Sequence, residues 1–254
     1  MLFRYGTLVR AMTMTRLKIR YRQSVLGWSW AILHPLVLMV LYAAIFAHAM
    51  GYGTAPIPYP LFVMAGILPW SFCATAISTS ASGMLSHHAL MAKVHFPREI
   101  VLLSYVAAAS VDFLIALVML LCIMPLYGLP LTPETLFAVP IFAILVLHTT
   151  GLCLLLSAAQ IGVRDITIAL PLVLQVLMFT SPIVYPASIV PASFQTLFWL
   201  NPLATLVSDF RQAVLAGETP AIAGILISAF SGMIVFLLGY AVFKRLETKM
   251  IDEL

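Results

Sequence analysis

The sequence predicts an all-α integral membrane protein. It has six transmembrane helices, an N-terminal amphipathic helix and two re-entrant helices between spans five and six. Three observations predict this. First, 63% of the 254 residues are hydrophobic and 9% are charged, with a mean hydropathy of +1.08. Soluble domains carry about 25% charged residues, and a compact soluble chain of this length still needs a polar exterior. Second, the apolar runs approach or exceed the ~20 residues a spanning helix needs, without the ~10-residue alternation of barrel strands. Third, the thirteen Lys and Arg residues are clustered. Arg4, Arg10, Arg16, Lys18, Arg20 and Arg22 crowd the start, Lys244, Arg245 and Lys249 the end, and Lys93, Arg98, Arg164 and Arg211 alone lie between.

Residues 1–24 interleave those first cations with Leu2, Leu8, Val9, Met12, Leu17 and Ile19. That pattern favours an amphipathic helix on the membrane surface over a floppy basic tail, its cations on phosphate headgroups. It lacks the apolar stretch and small-residue cleavage site of a signal peptide. Residues 25–254 form the transmembrane domain. Span one is about 30–50, with Trp28 and Trp30 as an interfacial belt and His34-Pro35 in its first turns, where proline is tolerated. Span two is about 61–85. A basic, His-containing segment, SHHALMAKVHFPRE, precedes span three at about 100–126. Thr132 as cap, Pro133 at the first helical position and Glu134 in the first turn start span four, about 135–161. After a polar turn, Asp165 is expected to cap span five, about 168–185, which contains Pro171 and closes at Pro182 and Pro186. Span six is about 221–243. Residues 186–218 are too apolar for a solvated loop and too short, piece by piece, to span. Asn201-Pro202 gives the second piece a strong helix start. Two short helices dipping into the outer face are favoured over a seventh and eighth span, which would bury Asp209 and Arg211.

Six spans put every Lys and Arg except Arg211 on one side, which the positive-inside rule makes cytoplasmic, with both termini there. No internal repeat is visible, so an inverted-repeat carrier gains little support. Asp112 is the one acid deep in a predicted span. It either lines a path or is a hydrogen-bonded packing residue, and packing is favoured because no second intramembrane charge lies near it in sequence. His87, His88 and His95 lack the compact set of about four ligands of a zinc site, so no metal is expected. Cys73, Cys122 and Cys153 sit in apolar runs and read as small apolar residues. No GxxxxGK[ST] phosphate loop occurs, so ATP used in transport would be hydrolysed by another polypeptide.

The ordered set YRQSVLGWSWAILHPL, KVHFPREI, VRDI, SPIVYP and NPLATLVSDFRQAVL, behind a basic amphipathic start, resembles the type-2 ABC exporter permeases of cell-surface polysaccharides. Permeases for lipid-linked O-antigen and related glycans are the most similar subgroup, with wall teichoic acid exporters close and capsule exporters second. The resemblance implies a non-enzymatic transport subunit in the bacterial cytoplasmic (inner) membrane. It implies a homodimer bound to two copies of a separate ATPase, which holds the ATP and Mg; no cofactor is expected in this chain and no nucleic acid as partner. It implies that Lys93, His95, Phe96, Pro97, Arg98 and Glu99, with Arg164 and Asp165 at the smaller corner, couple to the ATPase. Arg16, Lys18, Arg20 and Arg22 match the interface helix. Tyr185, Pro186, Asn201, Pro202, Asp209 and Arg211 match a periplasmic gate, with Asp209 and Arg211 expected to pair or to contact an anion. Sugar faces stack on aromatics, so Tyr42, Phe46, Trp70, Phe72 and Phe179 are candidates for the path between subunits; their other reading is a lipid-facing belt. A drug- or lipid-exporting permease of the same fold, an ion-coupled carrier and an intramembrane enzyme are the competing readings.

Overall fold

A computed structural model describes residues 5–22, 24–49, 57–86, 96–163, 165–199 and 201–247. Among them every regular element is helical. We number these α1 Gly6–Arg22, α2 Trp30–Ala49, α3 Tyr59–Ser86, α4 Glu99–Ile123, α5 Ala138–Gly162, α6 Asp165–Thr180, α7 Ala192–Trp199, α8 Pro202–Arg211 and α9 Ile222–Leu246. Among the described residues, five segments are long and apolar enough to cross a membrane: Gly27–Phe46, Tyr59–Met84, Glu99–Tyr127, Pro133–Gln160 and Ile222–Leu246.

These correspond to predicted spans one, two, three, four and six. The fifth prediction differs. Its helix, α6, starts three residues earlier than expected and stops at Thr180. Sixteen residues reach about 24 Å, short of the ~30 Å hydrocarbon core. Pro182 ends it: the backbone 181–185 leaves the helix, and Ile183 N–H donates to Ser181 O at 2.8 Å. Asp165 is the first helical residue rather than the cap before it, and supplies an acid to the first turn.

The other boundaries have local causes. Pro97 lies in the turn that opens α4; its carbonyl accepts from Ile100 N–H at 3.1 Å, and Glu99 sits at the positive end of the helix dipole. Gly128, at φ 79°, ends the 3-10 turn that follows α4. Thr132 is extended and Pro133 begins a 3-10 turn into α5, but the threonine hydroxyl makes no capping bond. Asn201 does cap α8, its side chain accepting from Leu203 N–H at 3.1 Å.

α3 is the central helix. Its first half, Tyr59–Trp70, is apolar and largely buried, a stripe of Ser71, Thr75, Ser78, Thr79 and Ser82 marks the less buried side of its second half, and it packs against α2, α4, α5 and α8. Leu61, Val63, Met64 and Ile67 are inaccessible. Phe113 of α4 stacks on Phe142 of α5 at 4.2 Å between centroids, and Phe72 meets Phe142 edge-on at 5.3 Å. Phe210 of α8 closes the cluster on Phe113 at 6.2 Å. α9 joins through α5 by backbone approach: a Cβ on Gly239 would lie 2.2 Å from Gly151 O. Small residues at that crossing are what let two membrane helices touch.

Candidate functional site

Three polar assemblies stand out of this apolar body, and each contains residues the sequence singled out.

The first seats α1 on α4. Thr13, Leu17 and Tyr21, one turn apart, form its buried face. Thr13 Oγ1 and Arg16 Nε both donate to Ser104, to its carbonyl at 3.5 Å and to its hydroxyl at 2.7 Å. The Arg16 guanidinium lies 3.3 Å over the Tyr105 ring, and burial lowers its pKa. Two turns on, Tyr21 Oη donates to Asp112 Oδ1 at 2.7 Å, and Arg20 Nη1 forms an ion pair with Asp112 Oδ2. The register, Thr13 and Arg16 at Ser104, then Arg20 and Tyr21 at Asp112, makes α1 follow α4 in the same direction. Burial, then the bond to Asp112, raises the Tyr21 pKa to about 12, so the phenol keeps its proton. Asp112 is therefore a helix–helix packing residue with a charged partner, supplied from 92 positions earlier in the chain. Lys18 and Arg22 are exposed.

The second assembly lies where α4 begins and α9 ends. Lys244 Nζ pairs with Glu99 Oε1 at 2.6 Å and with Glu247 Oε2 at 2.9 Å. Arg98 Nη1 donates to the Glu247 carbonyl. Of the expected coupling residues, Phe96, Pro97, Arg98 and Glu99 thus sit at this junction, and Asp165 is exposed at the start of α6. Lys93, His95 and Arg164 lie outside the described residues, as do His87 and His88.

The third surrounds the non-helical backbone at 181–185. Non-helical backbone buried in a membrane protein must find donors for its carbonyls. Arg211 supplies two of them, Nη1 to Pro182 O and Nη2 to Ile183 O, and its Nε donates to Phe62 O of α3 at 3.0 Å, with the guanidinium 3.7 Å over the Phe62 ring. Tyr59 Oη donates to Val184 O at 2.6 Å, and Asn201 Nδ2 to Ser181 Oγ at 2.9 Å. Tyr185 Oη reaches back to Phe179 O at 2.8 Å. Gly66 leaves room for the arginine, since a Cβ there would lie 2.2 Å from Nη2.

This corrects the expected Asp209–Arg211 contact. Arg211 is 7% exposed and turned inward, no ion pair joins it to Asp209 among the described residues, and its neighbours are carbonyls. An arginine in an apolar sequence needs acceptors of any kind, and here the nearest ones are backbone. Asp209 faces Gly224 of α9 instead, and its Oδ2 has no hydrogen-bond partner. Burial raises its pKa to about 6. Trp70 and Phe72 also need correction as path residues. At 8% and 3% exposure they lie inside the protomer, so a path between two copies would not touch them. Tyr42 and Phe46 are half-buried on α2, and Phe179 is exposed on α6. The sequence reading missed Tyr21, Tyr59, Phe62, Gly66, Ser104 and Lys244. The signal available for several of them was a lone charge (Asp112, Arg211) in apolar surroundings that had to have a partner.

The comparisons with known proteins agree on one family. Residues 7–215 match the family model described as ABC-2 type transporter. An O-antigen export system permease protein RfbA of Klebsiella pneumoniae is 28% identical over 240 residues, covering 94% of this chain and 91% of that protein. The protein of the same name from Myxococcus xanthus is 29% identical over 214 residues, covering 83% and 81%. The polysialic acid transport protein KpsM of Escherichia coli is 22% identical over 248 residues, covering 96% and 95%.

Proposed function

The chain belongs to the ABC-2 type transporter family, and from that premise we propose that it is the permease subunit of an ATP-driven exporter. Its cargo is a lipid-linked cell-surface polysaccharide, O-antigen-like in chemistry, carried across the cytoplasmic membrane. The observation that carries this reading is the near full-length similarity to O-antigen export permeases, at higher identity than to the polysialic acid transport protein. A polysialic, capsule-type glycan is the second reading, supported by that last similarity.

In this account residues 1–24 form the interface helix and 25–254 the transmembrane domain, with both termini cytoplasmic and α6 as the short fifth of six spans. Most of α6 is exposed in the single protomer, including Gln175 amid Leu172, Val173 and Val176. An amide facing hydrocarbon is unfavourable, whereas against a second helix or a water-filled path it finds partners. Tyr42 of α2 contacts Met178 of α6, Oη to Sδ at 3.8 Å, so the exposed faces of α2 and α6 adjoin. A second copy covers this surface, and the glycan passes along it, touching Tyr42, Phe46 and Phe179. α7, α8 and the 181–185 segment form the outer gate.

A separate ATPase, two copies per dimer, binds ATP and Mg and engages the segment that ends at Arg98 and Glu99. The Lys244–Glu99–Glu247 cluster ties that segment to the last span, so a push there moves both α4 and α9. Motion also enters through α1, held to α4 by Arg16 and by the Arg20–Asp112 pair. The permease supplies path and gate, and hydrolysis elsewhere supplies the work.

Deleting the gene tests the reading. Lipid-linked glycan should accumulate on the cytoplasmic face and surface glycan should fall, with recovery on re-expression. Unchanged glycan on both faces would overturn it, as would transport that survives vanadate but collapses with the proton gradient.

A further inference from the structure

The Arg20–Asp112 pair does more than fasten α1. It forms part of the wall of a cavity of about 350 Å³ between α1, α2, α3 and α4. That volume is at the lower end of the range for small-ligand clefts, roughly 300–1,000 Å³. His34 of α2 and Ser71 and Thr75 of α3 line it too, with Trp30 at its edge. Three of its walls are candidate membrane spans.

The polar groups there are under-used. Arg20 spends one N–H on Asp112, and its other donors meet no protein acceptor among the described residues. Asp112 accepts one bond at each oxygen and has lone pairs to spare. No hydrogen bond of the His34 ring, the Ser71 hydroxyl or the Thr75 hydroxyl is found among the described residues, although neighbouring Ser78, Thr79 and Ser82 all bond back to their own helix. Ser71, Thr75, Arg20, His34 and Asp112 converge on one space instead. Unused donors and acceptors within the spans need water or a ligand.

The charge decides the ligand class. The cation and the carboxylate sit side by side, so a lone anion would meet Asp112 and a lone cation would meet Arg20. A neutral polyol meets neither penalty: adjacent hydroxyls can donate to Asp112 and accept from Arg20, Ser71 and Thr75. Trp30 is 47% exposed and offers a flat apolar ring of the kind a sugar face covers.

We propose that this cavity is a sugar-recognition site that holds one neutral pyranose ring of the cargo partway along the spans. The site rests on the glycan-export reading and lies within a single protomer, apart from the surface assigned to the second copy.

The test uses the full-length permease in lipid nanodiscs, titrated with neutral methyl pyranosides of several configurations and, separately, with inorganic phosphate. Binding is read by tryptophan fluorescence and by calorimetry. At least one pyranoside should quench saturably, and Trp30→Phe should remove the fluorescence change while calorimetry still shows binding. Ser71→Ala with Thr75→Val leaves the α1 anchor intact and should weaken binding about 5-fold or more, as expected for two lost hydrogen bonds. Saturable phosphate binding without pyranoside binding would overturn the proposal, as would no saturable response to any probe, which makes the cavity a water pocket. Failure here is separable from failure of the export reading. If the deletion strain accumulates lipid-linked glycan but the Ser71/Thr75 variant exports normally and the protein binds no pyranoside, only the sugar site falls.

Discussion

Replacing Arg211 with methionine keeps an unbranched apolar stem and removes the charge and all donors. The carbonyls of Pro182 and Ile183 then lose their partner, while Phe62 O, inside α3, keeps its intrahelical bond. A buried polar group left unpaired costs about 1–3 kcal/mol, so two amount to roughly 2–6 kcal/mol. Methionine avoids desolvating a guanidinium, which offsets part of that. The net loss should be about 1–3 kcal/mol. At roughly 2–4 °C per kcal/mol for a chain of this size, the apparent Tm in detergent should fall on the order of 5 °C. Fluorescence-detected size-exclusion after heating reads this directly. A second substitution identifies the mechanism. A Cβ at Gly66 would lie 2.2 Å from Arg211 Nη2 and 2.5 Å from Ile183 O, so Gly66→Ala should also destabilise. Part of that clash is with the arginine itself, so the double variant Gly66→Ala/Arg211→Met should lose less than the sum of the single losses. Strict additivity, or a Tm drop under about 2 °C for Arg211→Met, would refute the view that this arginine fastens the 181–185 segment to α3 and α8.

Asp112→Ala should loosen the end of α1 from α4 by removing the acceptor of both Arg20 and Tyr21, while Arg16 stays on Ser104, making the Lys18–Arg22 stretch more susceptible to trypsin in intact membranes; an unchanged cleavage rate would count against the anchor. Glu99→Ala and Arg98→Ala should insert normally yet uncouple ATPase stimulation from export, and full export by both would remove their coupling role. Their effect on stability should be small, about 1 kcal/mol or less, since Lys244 is partly solvated. Asp209 adds a pH dependence. Its pKa is raised to about 6 by burial, above the ~3.9 of an unfolded chain. The folded state therefore holds the proton more tightly. Its contribution to stability is greatest below about pH 4, is lost as pH rises through about 6, and is flat above about pH 7. Asp209→Asn should abolish that decline, and an unaltered pH profile would show that the group does not titrate there.

Much of this architecture was legible in the sequence, and the reasons differ by element. The five long spans follow from apolar runs of sufficient length between turns that carry proline, glycine or charge. The cap at Asn201 follows from a side chain that can reach a free N–H two residues on. The fifth span was harder, because Leu170–Tyr185 is apolar apart from Gln175, Thr180 and Ser181, and only Pro182 marks where the helix stops. Burial along α3 was not legible either. Its Ser and Thr residues give no sign of where neighbouring helices will pack, so Trp70 and Phe72 are candidates for a path that, at 8% and 3% exposure, they do not reach. The long-range pairs, Arg20 with Asp112 and Lys244 with Glu99, leave no local trace. The need for a partner was visible from the charge, but its identity required the fold.

The central claim is that this permease moves a lipid-linked glycan under the drive of a separate ATPase. It is tested most directly by purifying the chain with its ATPase partner, reconstituting the complex in lipid nanodiscs and measuring ATP turnover as lipid-linked glycan is added. The account predicts co-purification and a saturable, vanadate-sensitive rise in turnover with the glycan, and none with the lipid carrier alone. A complex whose turnover ignores the glycan, or a chain that purifies with no ATPase, would contradict it.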